Sequence, residues 1–126
     1  MNILVVEDNP SHLKLAHLVL SAAGYKVNGV TAAEQAIDSI KQEKPQVILL
    51  DLELPGIDGL TLVRRLKADV ETRDVHVIVV TSYPDRYTKK DALAAGCDAY
   101  LVKPISTRAL PQIVREVVAG HPKTES

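Results

Sequence analysis

Val47-Ile-Leu-Leu50 runs into Asp51, and Leu-Glu-Leu-Pro-Gly-Ile-Asp-Gly59 follows at once. The four aliphatic residues show no alternation of polar and apolar positions. Such a run, closed by the Pro55-Gly56 loop signal, reads as a strand buried on both faces, the pattern of a parallel sheet. Ile3-Leu-Val-Val6 and Val77-Ile-Val-Val80 repeat the pattern. Tyr25-Lys-Val-Asn-Gly-Val30 alternates instead and reads as a half-exposed edge strand. Ala99-Tyr-Leu-Val102 is a short fifth strand, expected at the other edge.

Helical patterns fill the intervals. Asn9-Pro10 is an N-cap followed by proline at the first helical position, and the helix it opens carries Leu13, Ala16 and Leu20 as far as Gly24. Thr31 with Glu34 predicts a capping box ahead of Ala33, Ala36, Ile37 and Ile40. Residues 59–68 carry Leu62, Val63 and Leu66; residues 88–95 form a short Ala-rich helix stopped by Gly96. Leu110, Ile113, Val114, Val117 and Val118 give a last apolar stripe, where Pro111 predicts an irregular start or a kink. Strand then helix, five times over, predicts one α/β domain with a parallel sheet and right-handed crossovers over residues 1–119, then a polar tail over 120–126.

Composition narrows the function. The 126 residues are 46% hydrophobic and carry a formal net charge of -1, which argues against nucleic-acid binding through bulk charge. The single cysteine, Cys97, cannot form an intrachain disulfide and leans toward a reducing compartment. No signal peptide or membrane-length apolar run is present, so a cytoplasmic chain is expected.

In an open parallel sheet, ligands collect at the carboxyl ends of the strands. Here the first strand runs into Glu7-Asp8, the third into Asp51, the fourth into Thr81-Ser82 and the fifth into Lys103-Pro104. The first loop has no glycine and two negative charges, so it is no dinucleotide loop. Phosphate approaches such an edge only with a cation. Clustered carboxylates suit Mg²⁺, which takes oxygen ligands at about 2.0–2.1 Å and keeps several waters. Lys103 then offers a point charge to phosphoryl oxygens, Thr81 a donor, and Asp51 a carboxylate nucleophile able to form an acyl-phosphate.

Glu7-Asp8, Asp51-Leu-Glu-Leu-Pro-Gly-Ile-Asp-Gly59, Thr81-Ser82 and Lys103-Pro104, in that order, resemble the receiver domain of bacterial two-component response regulators. The resemblance spans Ile3 to Val118. It implies a flavodoxin-like strand order 2-1-3-4-5, by analogy with the chemotaxis member of the family. It implies that Asp51 accepts a phosphoryl group from a sensor histidine kinase or phosphotransfer protein. Glu7, Asp8, Asp51 and the Glu53 backbone carbonyl would hold Mg²⁺ (or Mn²⁺). Lys103 would pair with the phosphoryl group. Thr81 would move toward it while Tyr100, at the switch-aromatic position, turns inward. Glu53 and Tyr83 would occupy two positions that tune dephosphorylation. The signal would pass to a downstream protein target or output domain, with a phosphorylation-dependent homodimer as one form of output, and with no direct contact to nucleic acid or membrane. Such a domain is a switch that promotes only its own phosphorylation and dephosphorylation.

Taken singly, the same residues have plainer accounts. Glu7-Asp8 reads as a solvated turn, Thr81 as a β-branched strand residue, Lys103 as an edge-strand lysine, Tyr100 as a partly buried aromatic and Glu53 as an exposed side chain. His12, His17, His76 and His121 have no metal-ligand spacing. These accounts weaken only in combination, because all the residues fall on one sheet edge. Two other functions fit the fold. A flavin or nucleotide carrier is disfavoured by the acidic first loop. A metal-dependent phosphatase with Asp51 as nucleophile is disfavoured by Glu53 where a second Asp is common, and by the lack of a cap domain.

Overall fold

The computed structural model describes residues 2–54 and 56–120. Pro55, and the expected polar tail from His121 onward, lie outside the described residues. Strands β1 (Asn2–Val6), β2 (Lys26–Val30), β3 (Val47–Asp51), β4 (His76–Thr81) and β5 (Ala99–Val102) alternate with helices α1 (Pro10–Ala22), α2 (Ala33–Gln42), α3 (Gly59–Ala68), α4 (Lys89–Ala95) and α5 (Leu110–Val118). The strands form one sheet in the order β2-β1-β3-β4-β5, and every pairing is parallel.

Successive side chains of a strand point to opposite faces, so a wholly apolar run feeds two cores. Leu4, Val6, Ile48, Leu50, Val77 and Val79 pack with residues of α2, α3 and α4. Ile3, Val5, Val47, Leu49, Ile78 and Val80 pack with Leu20 of α1 and with Leu110, Val114 and Val117 of α5. The edge strand β2 buries only Val27.

Caps set the helix entries. Asn9 Oδ1 accepts from the N–H groups of Ser11 and His12, at 2.9 and 3.2 Å. Asp58 accepts from Thr61 N–H, and Thr88 Oγ1 accepts from Asp91 N–H. Gly59 lets the first turn of α3 lie against the loop that follows Asp51: a Cβ there would stand 2.8 Å from Leu52 Cδ2 and 3.0 Å from its Cα. α1 ends at Ala22, with Gly24 left-handed at φ 97°, and Gly96 closes α4 at φ 106°.

Two local expectations need correction, and a third is narrowed. The capping box of α2 does not form. The N-cap is Ala32, and Thr31 instead donates from both its N–H and its hydroxyl to Gln35 Oε1, so the partner is one residue beyond Glu34. Tyr25 lies outside β2, which starts at Lys26. Of the two outcomes expected at Pro111, the irregular start is found and the interior kink is not. α5 begins at Leu110 after a turn over residues 107–109, which leaves Pro111 in the first turn, where a missing N–H costs nothing.

Candidate phosphoacceptor site

The order β2-β1-β3 makes the chain change direction between β1 and β3, and a crevice opens at the carboxyl ends of those two strands. Glu7 leaves β1 at this point, and Asp51 is the last residue of β3. Their side chains are nearly buried, whereas Asp8 faces solvent. One carboxylate oxygen from each of Glu7, Asp8 and Asp51 lies within 4.8 Å of the others. Among the described residues this is the one such acidic group. All three are hard oxygen donors, a set that fits Mg²⁺ or Mn²⁺ and not a soft ion.

Lys103 follows β5 and reaches back across the edge. Its ammonium donates to Glu7 Oε1 at 2.7 Å and to Asp51 Oδ2 at 3.3 Å. The peptide bond between Lys103 and Pro104 is cis. Burial works against the ammonium, but Glu7 and Asp51 outweigh it and hold the Lys103 pKa above the usual lysine range. Burial also pushes the Glu7 carboxyl from its ordinary 4.5 up to about 7. The neighbouring Asp51 adds to that rise, while Lys103 and the Asn9 N–H oppose it. Crowding of like charges is therefore present, but desolvation is the larger cause.

Thr81 ends β4 fully buried, and Glu53 sits two residues past Asp51. The Glu53 N–H donates to Asp51 Oδ1 at 3.0 Å. Tyr100 is already 96% buried in the α4 side of the core, and its hydroxyl donates to the Tyr87 carbonyl. Little exposure is left for the expected inward rotation to remove. A cleft of about 430 Å³ runs from Glu7, Asp51 and Lys103 along α1 to Ile105, with Leu15 of α1 half exposed on its wall.

The chain matches the family model of the response regulator receiver domain over residues 3–115. It belongs to that family. It is 34% identical over 105 residues to the polar-differentiation response regulator DivK of Brucella ovis, covering 83% of this chain and 85% of that one. The receiver domain of the sensor histidine kinase PA1611 of Pseudomonas aeruginosa, solved with a magnesium ion in its active-site cleft, superposes with a TM-score of 0.84 at 31% identity, over 94% of this chain and 97% of that one. A CheY-like receiver domain protein of Methanospirillum hungatei superposes with a TM-score of 0.87 at 28% identity, over 95% and 94% of the two chains.

Two features of this receiver escaped the sequence. The Glu53 side chain is half-buried, not exposed, and both its oxygens are used: Oε2 accepts from Thr81 Oγ1 at 2.6 Å and Oε1 from Ser82 N–H at 2.7 Å. His12, assigned no role, hangs over the site from the first turn of α1, its Nδ1 3.4 Å from Lys103 Nζ and 3.7 Å from Glu7 Oε1. Its place three residues after the Asn9 cap was the available signal. Tyr83, at the other position expected to tune dephosphorylation, has 58% of its surface exposed. Cys97 behaves as a small core residue, and burial pushes its thiol up to about 11. No helix among the described residues is long and apolar enough to cross a membrane.

Proposed function

We propose that Asp51 of this receiver accepts a phosphoryl group from the phosphohistidine of a sensor histidine kinase or phosphotransfer protein. The observation that carries the reading is the Lys103 ammonium standing between Glu7 Oε1 and Asp51 Oδ2 at the mouth of the β1–β3 crevice. An Asp51 carboxylate oxygen forms the new P–O bond, the donor's P–N bond breaks, and the imidazole leaves with the electron pair. This chemistry needs positioning and charge neutralisation more than a general base. The chain supplies both. Glu53 N–H fixes one Asp51 oxygen, and Lys103 is held ready to pair with the phosphoryl oxygens. Glu7, Asp8 and Asp51, with the Glu53 carbonyl, would hold Mg²⁺ (or Mn²⁺), which supplies further neutralising charge when bound.

Thr81 then donates to the phosphoryl group, and the change passes through the loop of residues 82–88 to Tyr100. Output follows by protein contact, with a downstream target, an output domain or a second copy as the reader. The chain acts in the cytoplasm as a switch and not as a metabolic enzyme.

Acetyl phosphate with Mg²⁺ tests the reading. Mass spectrometry should show one added phosphoryl group, labile to base, on the wild type and none on Asp51→Asn. An equal adduct on the variant would overturn it.

A further inference from the structure

A serine or threonine hydroxyl has one proton to donate. In this structure the proton of Thr81 is spent on Glu53 Oε2 at 2.6 Å. The Thr81 oxygen meanwhile accepts from Tyr83 N–H at 2.9 Å. The other Glu53 oxygen takes the N–H of Ser82, so a single carboxylate grips the end of β4 at two successive residues. The same residue's N–H holds Asp51 Oδ1. Glu53 thus bridges the acceptor carboxylate and the Thr81 hydroxyl.

The grip extends beyond the site. Tyr83 carbonyl accepts from the N–H groups of Arg86 and Tyr87, which folds the loop into a turn, and the Tyr87 carbonyl receives the Tyr100 hydroxyl. Thr81, Tyr83, Tyr87 and Tyr100 are linked in series, with Glu53 at the head of the line.

We propose that the Glu53 side chain sets the threshold of the switch: it holds Thr81 in the resting arrangement, and a phosphoryl group on Asp51 gains the Thr81 proton only by displacing it. The proposal rests on the function given above and deepens it. Donation to Glu53 and donation to a phosphoryl oxygen exclude one another, because the proton is single. A phosphoryl group also brings roughly −1.5 to −2 charges next to Asp51 and repels the Glu53 carboxylate, so the event that needs Thr81 also loosens its holder. Glu53 is a positioning residue here and does not touch the reacting atoms through its side chain.

The test uses the full chain with excess Mg²⁺ and fluoride, titrated with beryllium to form the beryllofluoride adduct, a phosphoryl mimic. Fluorine NMR of the bound beryllofluoride reads the titration midpoint in the wild type, Glu53→Ala, Glu53→Gln, Thr81→Ala and the Glu53→Ala/Thr81→Ala double variant, and NMR of the Tyr100 ring reads the switch in the proteins that keep Thr81. Glu53→Ala should lower the titration midpoint about tenfold, in keeping with loss of one charge-assisted hydrogen bond. Glu53→Gln, which keeps an acceptor but no charge, should lower it less. Without beryllium, the Tyr100 signals of Glu53→Ala should already move part-way to the end point, since a tenfold relief takes a state populated at about 1% to about 10%. With Thr81 removed, the Glu53→Ala effect should shrink to about twofold, the part due to charge alone. An equal effect of Glu53→Ala in both backgrounds, or Tyr100 signals that match the wild type before beryllium is added, would overturn the proposal. If Glu53→Ala does not fold, Glu53→Gln with and without Thr81 carries the same comparison. A wild type that forms no adduct and shows no Tyr100 response would overturn the proposed function and this inference together, a result distinct from failure of the Glu53 effect alone.

Discussion

Lys103 Nζ lies 2.7 Å from Glu7 Oε1, across 96 residues of sequence, in a pair whose side chains are only 14% and 9% exposed. Breaking a pair this buried leaves a charge without a partner, and the penalty outruns the worth of the pair itself. Lys103→Met should fold but lose of order 3 kcal/mol at pH 8. At pH 6 the loss should be smaller, because Glu7, whose folded value is about 7, already holds a proton there and leaves no bare charge behind. Urea denaturation at the two pH values checks this. Equal losses at both would mean that Glu7 does not answer to Lys103. The same variant should accept phosphoryl from acetyl phosphate poorly or not at all.

Glu7 predicts a pH dependence of its own. Its folded value, about 7, lies above its ordinary 4.5, so the folded state binds the proton more tightly than the unfolded chain. The stability that this binding contributes is fully present below about pH 4.5 and is lost as the pH rises through 7. Glu7→Gln removes the titration. In EDTA, its stability relative to wild type, read by urea denaturation, should therefore climb steadily from pH 4.5 to pH 7.5, with a span of order 1–3 kcal/mol. A flat difference across that range would show that Glu7 titrates as an ordinary carboxyl.

Mg²⁺ should raise the melting temperature by binding the folded carboxylates. Asp51→Asn relieves Glu7 of its neighbour's charge, so this variant should melt above wild type in EDTA at pH 7 and gain less from Mg²⁺. Asp8 is exposed and well solvated, so Asp8→Asn should change the metal-free melt little while also shrinking the Mg²⁺ gain. Thermal melts in EDTA and in excess Mg²⁺ test both. Identical Mg²⁺ gains in all three proteins would remove these carboxylates from metal binding.

The response of Tyr100 should appear in its hydroxyl and not in its exposure, because the ring is already buried. On phosphorylation the ring signals should shift as the bond to the Tyr87 carbonyl is remade. Thr81→Ala should still accept phosphoryl at Asp51 yet leave the Tyr100 ring signals near their resting positions. Full Tyr100 shifts in that variant would mean that the two residues are not coupled through the 82–88 loop.

The fold, and the gathering of these side chains at one sheet edge, were legible because they depend on local chemistry. The runs at Ile3, Val47 and Val77 name buried strands by composition alone, Asn9-Pro10 and Thr88 mark helix starts within one turn, and five repeats of strand and helix leave few ways to build a sheet. Glu7, Asp8, Asp51, Thr81 and Lys103 could be singled out as candidates because each sits directly at a strand end, and a parallel sheet brings all its carboxyl ends to one edge. Even the corrections stay local: Gln35 for Glu34 is a shift of one residue.

Other features required the tertiary structure. No sequence rule says that the Glu53 side chain turns toward β4 to take the Thr81 proton 28 residues away, or that α1 swings His12 over Lys103. Nor does sequence show that burial, more than charge crowding, raises Glu7. Strand ends are positioned by the backbone ladder, which repeats. The direction of a long polar side chain, and how much water reaches it, depend on which neighbours the packed helices leave within reach. The residue types and the shared edge follow from the chain itself, and the strand order from its family resemblance; which acid holds which donor is decided only when the two layers close on the sheet.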